Sequence, residues 1–251
     1  MMILKKAGYS LLLITLTTMA FTSCELIEKD TQKETIDPVN SHSSVVFNPV
    51  KTYGTMTDFD GNTYKTITIG TQTWMAENLR VTHYSNGGAI PNITDNKAWT
   101  TLTTDAYCNY NNTKNADTLG TYGRLYNWYA VISTNNIAPK GWHVPTDAEW
   151  ATLTQFLEGN GHDADNMIEV GTTHWITRTY IATNASGFSA VPAGKRNDED
   201  GKFYSLGTSA NFWSCTKCYD YGWGLNLSSG NSSYLNKFFK PSGFSVRLIK
   251  D

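Results

Sequence analysis

The residues best suited to chemistry stand in PKGWHVPTDAEWATL, Pro139 to Leu153, where His143, Asp147 and Glu149 fall between Trp142 and Trp150. A histidine beside two carboxylates is the raw material of a general base or a metal centre. The spacing argues for architecture instead. His143 has no second histidine four residues away, as a helical HExxH zinc site needs. Thr146-Asp147-Ala148-Glu149 reads as a capping box, in which the Thr146 and Glu149 side chains each satisfy the other's backbone N–H. Asp147 then faces the positive end of the helix, while Trp150, Leu153 and Leu157 form its apolar stripe and Gly159-Asn160-Gly161 ends it. The block predicts a helix start.

Further along, Cys215-Thr216-Lys217-Cys218 has the spacing of metal knuckles and redox motifs, but no second CxxC or histidine pair completes a zinc set. A disulfide, two small buried side chains, or a reactive thiol aided by Lys217 are the readings open to this pair. No metal set and no cofactor is expected. Directly after it come Tyr219, Asp220, Tyr221 and Trp223. Flat rings beside a carboxylate suit a glycan, whose C–H faces stack on aromatics while its hydroxyls take hydrogen bonds. Asn197, Asp198 and Asp200 are further candidates on a neighbouring loop. Strand alternation would instead bury one set of these rings, Trp223 foremost.

The elements that must position these residues are short. Met56 to Leu79 alternates apolar and polar residues around turn signals at Asp60-Gly61 and Gly70-Thr71, a hairpin signature. Asp58, Asp60 and Asn62 read as turn chemistry, because Gly61 comes too early for a calcium loop. Residues 82 to 120 are loop-rich, and GRLYNWYAVI from Gly123 fits a short buried helix or strand. Thr183 to Arg196 reads as a strand with turns, followed by the strand-like runs FWSCT, WGLNLS and GFSVRLI. The stretch 53–251 is expected to be one α+β domain with much irregular loop.

Composition agrees. The chain has 251 residues, 40% hydrophobic and 13% aromatic, enough for the core of a full-size domain. Its net charge is -2 and no basic cluster accompanies the aromatics, so a nucleic-acid partner is set aside. Residues 1–24 read as a processing segment: Lys5 and Lys6 precede an apolar run from Leu11 to Phe21 that is too short to span a bilayer. Phe21-Thr22-Ser23-Cys24 resembles the bacterial lipobox, which implies lipidation at Cys24, export, and a lipid anchor at the outer membrane or cell surface. Residues 25–52, polar and charged, are expected to be a flexible tether. Apart from Cys24, the thiols are Cys108, Cys215 and Cys218, which cannot all pair within one chain.

Five blocks in order, TDFDGNTYKTITIGTQTWMAENLR, YGRLYNWYAV, APKGWHVPTDAEWATL, ASGFSAVPAGKR and GFSVRLIKD, resemble the Fibrobacter succinogenes major paralogous domain family. The resemblance covers nearly all of 56–251 and implies a surface or secreted bacterial protein, often a lipoprotein. More distantly, GWHVPTDAEW and GFSVRLI are similar to blocks of the formylglycine-generating, sulfatase-modifying family. Together the two resemblances imply a C-type-lectin-like fold, with small antiparallel sheets, a few helices, long loops and paired terminal strands. That fold carries unrelated activities. The calcium-holding Glu-Pro-Asn and Trp-Asn-Asp elements of sugar-binding lectins are missing, since Ile90-Pro91-Asn92 lacks the first carboxylate. Cys215 and Cys218 stand closer together than the cysteines of the formylglycine enzymes, without their surrounding motif.

The function expected from all of this is a non-catalytic ligand-binding or adhesion module at the cell surface, with a glycan or a surface protein as partner. The alternatives are a structural component of a surface assembly and a thiol- or copper-dependent oxidase built on Cys215 and Cys218.

Overall fold

The structure is a computed structural model that describes residues 39–158, 163–176, 182–228 and 233–251. The expected leader with Cys24, the first part of the tether, and the Gly159-Asn160-Gly161 helix stop lie outside these residues.

The alternating start folds as expected. Strands β1 (Gly54–Thr57) and β2 (Thr63–Ile69) pair antiparallel, and β3 (Gln72–Met75) returns against β2. Asp58 shapes the first turn, its Oδ1 accepting the N–H groups of Asp60 and Asn62. Next come α1 (Asn96–Thr100), β4 (Tyr107–Cys108), α2 (Ala116–Tyr122), β5 (Leu125–Tyr126) and α3 (Trp128–Val131). GRLYNWYAVI is thus both strand and helix. Asn127 divides it, its Oδ1 accepting the Ala130 N–H as a helix cap.

Strand β6 (Trp142–His143) leads into α4 (Asp147–Glu158), which begins at the expected residue. The capping box is formed: Thr146 N–H donates to Glu149 Oε2 at 2.8 Å, and Glu149 N–H donates to Thr146 Oγ1 at 3.2 Å. Trp150, Leu153 and Leu157 are buried on one face. After α5 (Asp163–Met167), strands β7 (Ala193–Arg196), β8 (Phe203–Leu206), β9 (Ser209–Cys218), β10 (Tyr221–Ser228) and β11 (Ser233–Phe239) follow, and β12 (Ile249–Lys250) is last.

Among the described residues, one sheet has the order β1-β2-β3-β12-β6, a second the order β11-β10-β9-β7-β8, and β4 pairs with β5. Ile249 of β12 lies opposite both Trp74 and His143, so the end of the domain closes the sheet opened by the first hairpin. Between the sheets the core is aromatic: the rings of Trp74 and Trp150 stand 4.5 Å apart, and Phe188 and Phe212 pack on Trp150. Trp213 stacks on Phe244 at 4.4 Å.

Three expectations change. Residues 39–48 pack on the domain, since Val39 and Val45 are buried and Asn48 Nδ2 donates to the Asn184 carbonyl at 2.9 Å, whereas 49–52 are exposed. Widely spaced apolar side chains inside a polar segment hid that attachment. Most of GFSVRLI is extended chain with isolated bridges, at Gly243, Phe244 and Ser245, and only Ile249 enters a regular strand. Its Arg247 is fully buried and bonds Asn78 Oδ1 and the carbonyls of Met75, Phe188 and Ser189, with burial pulling its pKa down to about 9. Likewise Thr183 to Arg196 is strand only from Ala193, since Asn184 Oδ1 accepts the Ser189 N–H and holds a turn before it.

Candidate functional site

The aromatic residues singled out from the sequence sit on the β9–β10 hairpin and its neighbour β11. Cys218 pairs with Tyr221, leaving Tyr219 and Asp220 as the two turn residues. Tyr219 has a φ of 49°, uncommon for a residue with a side chain, and is 86% exposed. Lys240 Nζ donates to the Tyr219 carbonyl at 2.5 Å and braces the tip.

Below the tip, cross-strand pairs make a ladder. Tyr221 lies opposite Phe239, with ring centroids 4.6 Å apart, and Trp223 lies opposite Lys237, whose Nζ stands 5.3 Å from the indole. Strand alternation puts Tyr221 and Trp223 on one face and Gly222 on the other. A Cβ there would come within 2.1 Å of the Trp128 ring, so the other side of the strand is pressed onto α3 and needs a residue without a side chain. Trp223 is half-buried rather than a core ring, and Phe239, absent from the sequence-level candidates, is 47% exposed. Opposite Trp223 the register of β9 shifts, and Cys215 N–H leaves the ladder to donate to the Pro145 carbonyl.

The candidate loop divides. Asn197 Oδ1 accepts the N–H groups of Glu199 and Asp200, and Asp200 accepts from Lys202 N–H and the Tyr204 hydroxyl. Asn197 and Asp200 are therefore turn formers between β7 and β8. Asp198 alone reaches toward the hairpin, accepting the Ser242 hydroxyl at 2.8 Å, two residues beyond the lysine that braces Tyr219.

Cys108, Cys215 and Cys218 are all free. Cys215 and Cys218 are not joined by a disulfide in the structure. Burial, then the Glu149 and Asp147 carboxylates, push the Cys215 thiol up, and burial drives Cys108 to about 12. A raised pKa keeps the thiol protonated and leaves little for thiolate chemistry.

His143 also has an assigned task. Its Nε2 lies 2.8 Å from Glu149 Oε1 and its Nδ1 2.7 Å from Asp251 Oδ1, so it ties the start of α4 to the residue that follows β12. Burial lowers its pKa, but the hydrogen bonds to Asp251 and Glu149 outweigh that and raise it; for Glu149, burial raises the pKa and the bonds from Thr146 and His143 lower it overall. Among the described residues no group of three His, Cys, Asp or Glu side chains is arranged to hold a metal ion.

Sequence reasoning missed a second surface. On the opposite face of the same sheet, Asn211, Asn226, Tyr234 and Asn236 line a cavity of about 340 Å³. Asn226 lies opposite Asn211 on β9 and Tyr234 on β11, and its Nδ2 donates to Asn211 Oδ1 at 2.7 Å. No short-range signal identifies β11: the polar and apolar residues of SYLNKFF come in pairs rather than alternating, and its Ser, Asn and Lys content reads as loop.

A family model described as the Fibrobacter succinogenes major domain matches residues 67–250. No curated protein and no solved structure matches the chain.

Proposed function

The chain belongs to the Fibrobacter succinogenes major domain family, and from that premise we propose that it is a lipid-anchored surface protein whose aromatic hairpin binds glycans without doing chemistry on them. The observation that carries the reading is the pair of cross-strand contacts Tyr221/Phe239 and Trp223/Lys237 on one face of the strands, with exposed Tyr219 at the tip beyond them. Sugar rings stack on such surfaces at low entropic cost, because each aromatic has only two side-chain torsions to fix. Anchoring rests on Cys24 and its lipobox-like context; among the described residues no helix is long and apolar enough to cross a membrane. We read the fold as C-type-lectin-like, supported by the pairing of β12 with the sheet of the first hairpin.

A second reading, a structural component of a surface assembly, is favoured by one feature. β11 is the outer strand of its sheet and carries exposed Tyr234 and Phe239, a template on which another chain can add a strand. A glycan array separates the two. Glycan binding predicts array signals that fall in Tyr219→Ala and Tyr221→Ala. An empty array, with adhesion to whole surfaces unchanged in both variants, removes the glycan reading.

A further inference from the structure

Apart from the hairpin, the segment at 39–48 brings a serine, a histidine and a glutamate into line. The segment crosses α2 at Gly120, where a Cβ would stand 2.7 Å from the His42 carbonyl carbon. Only glycine allows that approach, and it sets the next residue, Thr121, against Ser44. Ser44 N–H donates to Thr121 Oγ1 at 3.1 Å, and the two hydroxyl oxygens are 2.8 Å apart. Ser44 Oγ also lies 3.0 Å from His174 Nε2. The other ring nitrogen, Nδ1, lies 2.5 Å from Glu169 Oε1, while Glu169 Oε2 accepts the Val46 N–H at 3.1 Å.

The burial follows the same order. Glu169 is 1% exposed, His174 is 8% exposed, and Ser44 is on the surface. The Tyr122 ring meets the imidazole edge-on, at 5.6 Å and 82°, which limits the ring's rotation. A buried carboxylate on Nδ1 selects the tautomer with its proton there, and so leaves the Nε2 lone pair facing the serine hydroxyl. His143 offers the contrast: both of its nitrogens face carboxylates and neither faces a hydroxyl.

We propose that Ser44 is an activated nucleophile that accepts acyl groups from solvent-exposed carboxylic esters, with His174 as its base and Glu169 as the residue that positions the ring. Ser44 Oγ bonds to the ester carbonyl carbon as its proton passes to His174 Nε2 and the carbonyl π pair moves onto oxygen. The carbonyl re-forms, the C–O bond to the alcohol breaks, and the departing alkoxide takes the proton from the imidazolium. Water then repeats the sequence on the acyl-serine, releasing a carboxylic acid and restoring the serine. No oxidant, reductant or cofactor enters the balance.

The competing view is that these side chains only strap the 39–48 segment to the domain. Treatment of the full chain with a fluorophosphonate probe, followed by peptide mass spectrometry, separates the two. The proposal expects an adduct on Ser44, formed as fluoride leaves phosphorus and the serine proton passes through His174 to solvent. Ser44→Ala abolishes the adduct. His174→Gln slows it about 10²–10⁴-fold, the usual contribution of a general base. Glu169→Gln lowers the maximal labelling rate rather than the probe concentration at half-saturation, a split that a strap alone does not produce. His143→Gln labels like the wild type. An unlabelled Ser44 in the folded wild-type chain overturns the proposal, as do equal rates in wild type and His174→Gln. The wild-type arm keeps the test decisive even where a variant fails to fold.

Discussion

The start of α4 and the tip of the β9–β10 hairpin have similar raw material, aromatic rings among polar and acidic residues, yet the fold uses them in opposite ways. At α4 every polar group is bonded within the molecule: Thr146 to Glu149, Glu149 to His143, His143 to Asp251, and Asp147 to Thr216. Its Trp150 is fully buried against Trp74 and Phe212. At the hairpin, Tyr219 is exposed, Tyr221 and Trp223 are half-buried, and Lys237 faces the Trp223 ring rather than a carboxylate. Residue types that suggest chemistry therefore do not locate a site. A binding face shows instead in rings left exposed, as at the hairpin tip.

The largest expected effect tests the architectural side. Trp150→Ala removes a fully buried indole from the aromatic core and is expected to cost about 3–5 kcal/mol in denaturant unfolding. Next, Thr146→Ala deletes half of the capping box and is expected to cost about 1 kcal/mol by the same measurement. Smaller still, Tyr219→Gly relieves a positive φ and should raise stability by less than about 1 kcal/mol. A clear loss there would mean that the tip, too, is structural, and would break the contrast.

The smallest effect is a pH dependence that His143→Gln should remove. The folded-state pKa of His143 is raised above 6.5, so its contribution is complete below that value and disappears as pH rises through the folded pKa. For Glu149 the folded value lies below 4.5, so its contribution is present above 4.5 and disappears as pH falls through the folded pKa. The thermal midpoint of the wild type should therefore gain a shallow maximum between pH 4.5 and 6.5, absent in the variant. The gain is modest because water reaches this pair, with the His143 side chain 40% exposed.

Local chemistry was legible in the sequence wherever a short-range rule governed it. The capping box, the turns at Asp60-Gly61 and Gly70-Thr71, the α+β class and the aromatic tip all follow from neighbours within a few residues. Long-range pairing was not. Phe239 joins Tyr221 only because β11 folds back on β10, and Ser44 meets His174 across 130 residues of chain. Nothing near Ser44 or His174 announces the other. The tether boundary failed for the same reason, since Asn48 and Val46 find their partners at Asn184 and Glu169.

The central claim is that the hairpin face, and not the amide-lined cavity behind it, holds the ligand. Transferred NOE spectra of an array-selected saccharide with the wild-type chain test it most directly. The account predicts contacts from sugar C–H protons to the ring protons of Tyr219, Tyr221 and Trp223, lost in Tyr221→Ala while the thermal midpoint stays in place. Contacts to Tyr234 instead, or none to the hairpin rings, would contradict it.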